Sequence, residues 1–182
     1  TPELGVEADV ERVVGDLRTA VYKVERVRRG TRQRRPYPPF TTSTLQQDAS
    51  RRLSFTARRT MAVAQQLYEG VDLGERGPTG LITYMRTDST NVSGVAQSEA
   101  RDVIAQIYGK EFLPAEPPVY KTKTRGAQEA HEAIRPTSPG RTPDSLRNVL
   151  APEPPKLYTL VWQRFIASQM TPAEFDTVTV EV

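Results

Sequence analysis

The chain has 182 residues, no cysteine, a single histidine, and 25 basic against 22 acidic side chains. This composition excludes a disulfide framework, a thiolate metal site, a thiol nucleophile and a His-rich metal cluster. With 37% apolar and 26% charged residues it is that of one ordinary globular domain or two small ones, and no apolar run approaches the ~20 residues of a membrane span.

The amino-terminal Thr1-Pro2-Glu3-Leu4 has no initiator Met, no basic region and no apolar region, and reads as the interior of a longer protein. Residues 8–20 place Val10, Val13, Val14 and Leu17 on one helical face. Residues 21–27 are rich in β-branched and aromatic side chains and predict a strand. Residues 28–40 hold Gly30, Pro36, Pro38 and Pro39 and predict an irregular crossing segment. The charge changes sharply here. Residues 1–25 carry three basic and six acidic side chains, residues 26–59 carry ten Arg and one acid, Asp48, and residues 60–182 carry twelve basic and fifteen acidic. The positive charge is thus one block, all Arg, whose planar donor forks match phosphate oxygens and point to a polyanion partner.

Ser43-Thr44-Leu45-Gln46 fits a capping box. The helix it predicts has Leu45, Ala49 and Leu53 on one face and Arg51 and Arg52 on the other. A second helix, 57–69, buries Thr60, Ala64 and Leu67, with Arg58 and Arg59 in its first turn, where a bound anion would offset their repulsion by the helix dipole. Residues 70–80 form a loop, 81–85 a short strand, 87–93 a turn, and 95–108 a helix burying Ala96, Ala100, Val103, Ile104 and Ile107. Loop is predicted for 113–126, a short helix for 128–134, and an extended linker with one turn for 136–155. Residues 156–170 make a strongly apolar helix. Residues 175–182 alternate as a strand with Val178, Val180 and Val182 inward. The two best strands lie at opposite ends of the chain, so pairing them inserts a helical domain between them. The fold class expected is mixed α/β, of the α+β kind.

The densest functional segment is Tyr84-Met85-Arg86-Thr87-Asp88-Ser89-Thr90-Asn91, between a strand and a helix. Tyrosine can act as a nucleophile when activated, and Arg86 shares a face with Tyr84 on an extended chain and could hold a phosphate. A buried Tyr beside a surface Arg fits the same residues. The lone histidine, His131, stands four residues before Arg135 and would share its helix face, as an anion site or as a structural pair. No Asp-x-Asp run and no Gly-rich phosphate loop followed by Lys is present, so no metal ligand is assigned.

Tyr, Arg and His also serve phosphoryl transfer in tyrosine recombinases, but there the Tyr comes last, whereas Tyr84 precedes His131. Three segments, in order, resemble signatures of bacterial type IA DNA topoisomerases: Pro39-Phe40-Thr41-Thr42-Ser43-Thr44-Leu45-Gln46-Gln47, Gly80-Leu81-Ile82-Thr83-Tyr84-Met85-Arg86-Thr87-Asp88-Ser89-Thr90, and Glu129-Ala130-His131-Glu132-Ala133-Ile134-Arg135-Pro136-Thr137. Gln169-Met170-Thr171-Pro172-Ala173 is similar too. The resemblance covers nearly the whole chain. Residues 70–79 look like a surface insertion relative to the family's shortest versions.

The resemblance implies a central piece of an ATP-independent isomerase that relaxes negatively supercoiled DNA. Tyr84 would attack a phosphodiester to give a 5′-phosphotyrosyl link, another strand would pass, and the link would reverse. Arg86 would hold the scissile phosphate and His131 would support it by hydrogen bonding, with Asp88 and Arg135 as further supporting candidates. Arg34, Arg35, Arg51, Arg52, Arg58 and Arg59 are the candidate contacts to single-stranded DNA. Mg²⁺ would serve the whole enzyme through acidic ligands in a Toprim domain outside this chain. The partners expected are DNA and the remaining domains of the same polypeptide, with no membrane, in the bacterial cytoplasm at the nucleoid. Residues 1–40 and 146–182 would belong to a β arch, and 41–145 to a helical domain carrying the tyrosine, with hinges near 36–41 and 138–155. The contrasting reading is a DNA-binding gate module with no chemistry of its own.

Overall fold

The computed structural model describes residues 5–74, 77–120, 131–146 and 153–182. The chain divides into two units, residues 1–34 with 174–182, and residues 35–173.

In the first unit, α1 (Glu7–Thr19) carries Glu7 and Asp9 in its first turn and Arg18 in its last, a charge order that suits the helix dipole. The strands β1 (Arg26–Arg34) and β2 (Ala173–Glu181) form a two-stranded sheet. The pairing is antiparallel: Glu25 N–H donates to the Glu181 carbonyl, Thr177 Oγ1 to the Gly30 carbonyl, and Gln33 Nε2 to Glu174 Oε1. The terminal strands therefore pair as expected, and the fold is α+β. Two details are corrected. The first strand is not 21–27 but the Arg-rich stretch after it, and Val178, Val180 and Val182 are exposed rather than inward. Both follow from the same cause. Within this unit a two-stranded ribbon by itself has no inside, and charge pairs cross it. Arg28 pairs with Glu181 at 2.8 Å and Arg26 approaches it at 3.9 Å.

The second unit holds the core. Helices α2 (Thr42–Leu53), α3 (Ala57–Glu69) and α6 (Pro154–Ser168) pack on one another, with α5 (Pro143–Leu146) against α6. Leu45, Ala49, Ala64, Leu67, Leu157, Val161 and Phe165 are fully buried there, and each large side chain so placed contributes about 1.5–3 kcal/mol of transfer free energy. Helix α4 (Gly94–Ile107) runs into a 3-10 turn at Lys110–Phe112, with Ala96, Ala100, Val103 and Ile104 inward but Ile107 half exposed.

Local chemistry fixes these elements. The capping box of α2 is built by Thr41 and Thr44, which exchange backbone and side-chain hydrogen bonds, not by Ser43 and Gln46. Thr41 precedes the first turn, so its hydroxyl reaches the orphan N–H groups. Ser54 ends α2 in the left-handed conformation (φ 56°). Thr56 caps α3 through Arg59 N–H at 3.2 Å, and Ser93 caps α4 through Ala96 N–H. Of the extended linker expected at 136–155, residues 147–152 lie outside the described residues; 136–146 holds the expected turn as α5 and is tied to α6, Trp162 Nε1 donating to the Pro139 carbonyl at 2.8 Å and the Tyr158 hydroxyl to the Arg141 carbonyl at 2.6 Å. Burial pushes the Tyr158 phenol far up, so it stays a donor.

Candidate nucleic-acid cleavage site

Residues 81–85 form no regular strand. Ile82 makes a single bridge to Pro136, and Phe40 one to Ile134. Thr83 N–H donates to the Arg135 carbonyl at 2.9 Å, Thr137 N–H to the Leu81 carbonyl at 3.0 Å, and Ile134 N–H to the Phe40 carbonyl at 2.8 Å. The Thr83 hydroxyl adds a bond to the Ala133 carbonyl at 2.7 Å. Residues 131–134 are therefore extended, and the helix expected there is absent; 128–130 lie outside the described residues. Pro136 stops any helix, and the backbone of 133–137 finds partners in its neighbours instead. His131 and Arg135 consequently share no helix face. The three sequence segments are nonetheless drawn into one patch, the third bonded to both of the others and the first bonded to the second through Thr42 and Thr87.

From Tyr84 the side chains alternate. Tyr84, Arg86 and Asp88 are exposed, while Met85, Thr87 and Ser89 are buried. The inward hydroxyls hold the backbone, with Ser89 N–H on Thr87 Oγ1 at 3.0 Å and Asn91 N–H on Ser89 Oγ at 3.1 Å. One face thus presents a phenol, a guanidinium and a carboxylate from a fixed stretch of chain. The Tyr84 ring, 42% exposed, meets the Tyr68 ring edge to face at 5.3 Å. Gly80 allows this approach: a Cβ there would lie 2.7 Å from the Tyr68 carbonyl oxygen. Just before it, Val71 and Thr79 pair their backbones and close the loop the sequence marks as an insertion.

His131 is exposed. Its neighbours anchor it: Ala133 N–H donates to the Asn91 carbonyl at 2.9 Å, and Ser93 N–H donates to Glu132 Oε1 at 2.9 Å. Arg135 is mostly buried and turns to Glu132, with Nε–Oε2 2.9 Å and Nη2–Oε2 2.5 Å. Partial burial pushes the Glu132 carboxyl up, but Ser93 and the Arg135 charge outweigh it and hold it below its ordinary value. Arg135 is thus committed to an internal ion pair. Glu132 escaped the sequence reading, although a carboxylate between His131 and Arg135 was its signal.

The arginine block is divided. Arg34 closes β1 in the ribbon unit, while Arg35, Arg51, Arg52 and Arg58 are exposed on the helical unit. Arg59 is engaged: it pairs with Glu153 and lies 4.6 Å over the Phe55 ring. That pair supplies the anion expected near the first turn of α3. Arg51 approaches Asp48 only at 3.9 Å, because Asp48 is taken by Arg164 at 3.1 Å. Arg164 also donates to the Pro38 carbonyl at 2.7 Å and lies over the rings of Tyr37 and Phe40. Burial lowers its pKa, against the opposing pull of Asp48. A lone charge in the middle of an apolar helix was the sequence signal for it. Among the described residues, no group of three or more His, Asp or Glu could hold a metal ion, and no helix is long and apolar enough to cross a membrane.

The sequence profile of the DNA topoisomerase family matches residues 3–182. The chain belongs to this family. It is 60% identical over 151 residues to DNA topoisomerase 1 of Xylella fastidiosa strains Temecula1 and 9a5c, covering 83% of this chain and 18% of each relative. Full-length topoisomerase I from Thermotoga maritima superposes with a TM-score of 0.79 at 39% identity, covering 93% of this chain and 26% of that one. The topoisomerase resemblance carried by the three motifs is met in both sequence and fold. The chain spans about a fifth of the length of these curated topoisomerase relatives.

Proposed function

We propose that this chain supplies the strand-cleaving segment of a type IA DNA topoisomerase, an isomerase that relaxes negatively supercoiled DNA without ATP. The Tyr84 hydroxyl attacks a backbone phosphorus of a single-stranded stretch. The P–O3′ bond breaks, a 5′-phosphotyrosyl bond forms, and the phenolic proton is balanced by one taken up at the departing 3′ oxygen. The new ester keeps the energy of the old one, so religation by the 3′ hydroxyl after strand passage needs no nucleotide. Arg86 neutralises the phosphate as charge builds on its oxygens, and His131 supports it by hydrogen bonding. The observation that carries this reading is the outward alternation of Tyr84, Arg86 and Asp88 from a segment held by both other motifs.

Asp88 is a single exposed carboxylate, and the described residues do not fit a Mg²⁺ site. Magnesium would be held by acidic residues outside this chain, and no step is derived through it. That the chain by itself is inactive in relaxation, and that it divides into a β arch and a tyrosine-bearing helical domain, are parts of this proposal. Arg51, Arg52 and Arg58 bind the DNA backbone, with Arg35 a further candidate on the same unit and Arg34 a separate candidate on the ribbon unit. Arg59 and Arg135 have internal ion partners and are weaker candidates.

The test is a covalent adduct with a labelled single-stranded oligonucleotide, formed by the full-length polypeptide carrying these residues. Tyr84→Phe loses only a hydroxyl and should abolish the adduct while leaving binding intact. An adduct from Tyr84→Phe would leave the gate module without chemistry here as the better description. Arg51→Ala with Arg52→Ala should make the dependence of log K on log salt shallower by about 1–2 units, at about 0.7 for each phosphate no longer neutralised. An unchanged slope removes this pair from the DNA surface.

A further inference from the structure

The geometry points to Thr42 as the residue that positions Arg86, an inference that rests on the assignment of Tyr84 and Arg86 above. Thr42 is the first residue of α2. Its hydroxyl has no part in capping that helix, because Thr41 and Thr44 form the box. Instead it reaches across to the second motif. Thr42 Oγ1 donates to the Met85 carbonyl at 2.7 Å, with the Thr87 carbonyl at 3.1 Å as the longer alternative, and accepts from Thr87 N–H at 2.9 Å. Thr42 N–H, an orphan donor of the first turn, donates to the Thr87 carbonyl at 2.9 Å. One hydroxyl has a single proton and two lone pairs, and here the proton and one lone pair serve the peptides on either side of Arg86.

The consequence is positional. Residues 84–89 alternate outward and inward, so a twist of the chain at 86 would swing the guanidinium away from the face it shares with Tyr84. Met85 and Thr87 are buried and prevent translation. The Thr42 hydroxyl prevents rotation, since turning either peptide strands a carbonyl or an N–H in a half-buried setting. Misplacement of a charge-stabilising group by about 1 Å costs on the order of 100-fold in rate. The Thr42 hydroxyl is spent on the backbone and is aimed at neither phosphate nor phenol, so it should act on the chemical step and not on DNA affinity.

The experiment compares Thr42→Val, Thr42→Ala and Thr42→Ser in the full-length polypeptide. It reads the single-turnover rate of adduct formation on a single-stranded oligonucleotide, the Kd for that oligonucleotide, and the melting temperature. The two hydroxyl-free variants should form the adduct roughly 10- to 100-fold more slowly with Kd close to wild type and a melting temperature lowered by a few degrees at most, still well above the assay temperature, and Thr42→Ser should restore most of the rate. Equal loss in Thr42→Ser and Thr42→Val overturns the proposal. So does a wild-type rate in Thr42→Val, a Kd that weakens in step with the rate, or unfolding of both hydroxyl-free variants at the assay temperature. Tyr84→Phe run alongside separates the two readings. If it still forms the adduct, the nucleophile assignment falls and takes this role with it. If it is silent while Thr42→Val is unimpaired, the role of Thr42 alone falls.

Discussion

The ribbon unit and the helical unit are built from equally convincing sequence patterns, yet they differ in kind. Helix α1 has an apolar stripe but no buried residue, with Val10, Val14 and Leu17 at least 40% exposed. Strand β2 alternates cleanly, yet its valines face solvent. Helices α2 and α3 have stripes of the same kind, and their Leu45, Ala49, Ala64 and Leu67 are fully buried. A periodic pattern determines which face can be covered; a packing neighbour determines whether it is. The candidate site sits on the unit with the core, where a fixed backbone can hold a side chain in place.

The largest expected effect that tests this contrast is in the core. Phe165→Ala should lower the unfolding free energy by about 3–5 kcal/mol, measured by denaturant unfolding of the chain; a loss under 1 kcal/mol would mean the helical unit is as loosely built as the ribbon. Next, Arg164→Met removes the guanidinium from the rings of Tyr37 and Phe40 and leaves Asp48 partly buried with only the long Arg51 approach. A cost of about 1–3 kcal/mol follows from the missing charged hydrogen bonds, and a neutral result would show that residues 37–40 and Asp48 do not depend on the Arg164 charge.

A pH series sharpens the comparison at the third motif. The folded-state pKa of Glu132 lies below its unfolded value. Its contribution to stability is therefore complete above the ordinary carboxylate range and is lost as pH falls through the lower folded value. Glu132→Gln should be less stable than wild type near neutrality, and the gap should close on acidification. A gap independent of pH would show that Glu132 works by shape and not by charge. The smallest effects belong to the ribbon unit. Leu17→Ala and Val178→Thr should each change stability by no more than about 0.5 kcal/mol, and a cost comparable to Phe165→Ala would show that these faces are covered after all.

Much of the site was legible because its chemistry is local. Tyr84, Arg86 and Asp88 stand two residues apart in an extended segment, so their shared face follows from the period of the chain. The helices at 57–69 and 94–107 were equally plain, since their caps and apolar faces lie within their own sequence. Misreadings occurred where a distant partner decides. Ser43 and Thr41 offer the same hydroxyl, and only the entry angle of the chain into α2 selects Thr41 as cap. Residues 131–134 look helical by composition but are extended because Phe40, Thr83 and Asn91 offer partners to their backbone. Residues 28–34 look irregular but pair because Glu181 and Glu174 lie opposite them.

The sequence by itself determined the family, through three motifs in order, and the identity of the residues that could react. Tertiary structure alone decided what each charge is for. Arg59, Arg135 and Arg164 are as cationic as Arg51, Arg52 and Arg58, but each of the first three has a carboxylate brought within hydrogen-bonding reach from another part of the chain or the far side of a turn. Arg135 and Arg164 are largely out of water and must be paired when the chain folds, whereas Arg59 stays half exposed and keeps its pair at the surface. Burial is a property of the assembled core, and no local pattern of residues encodes it.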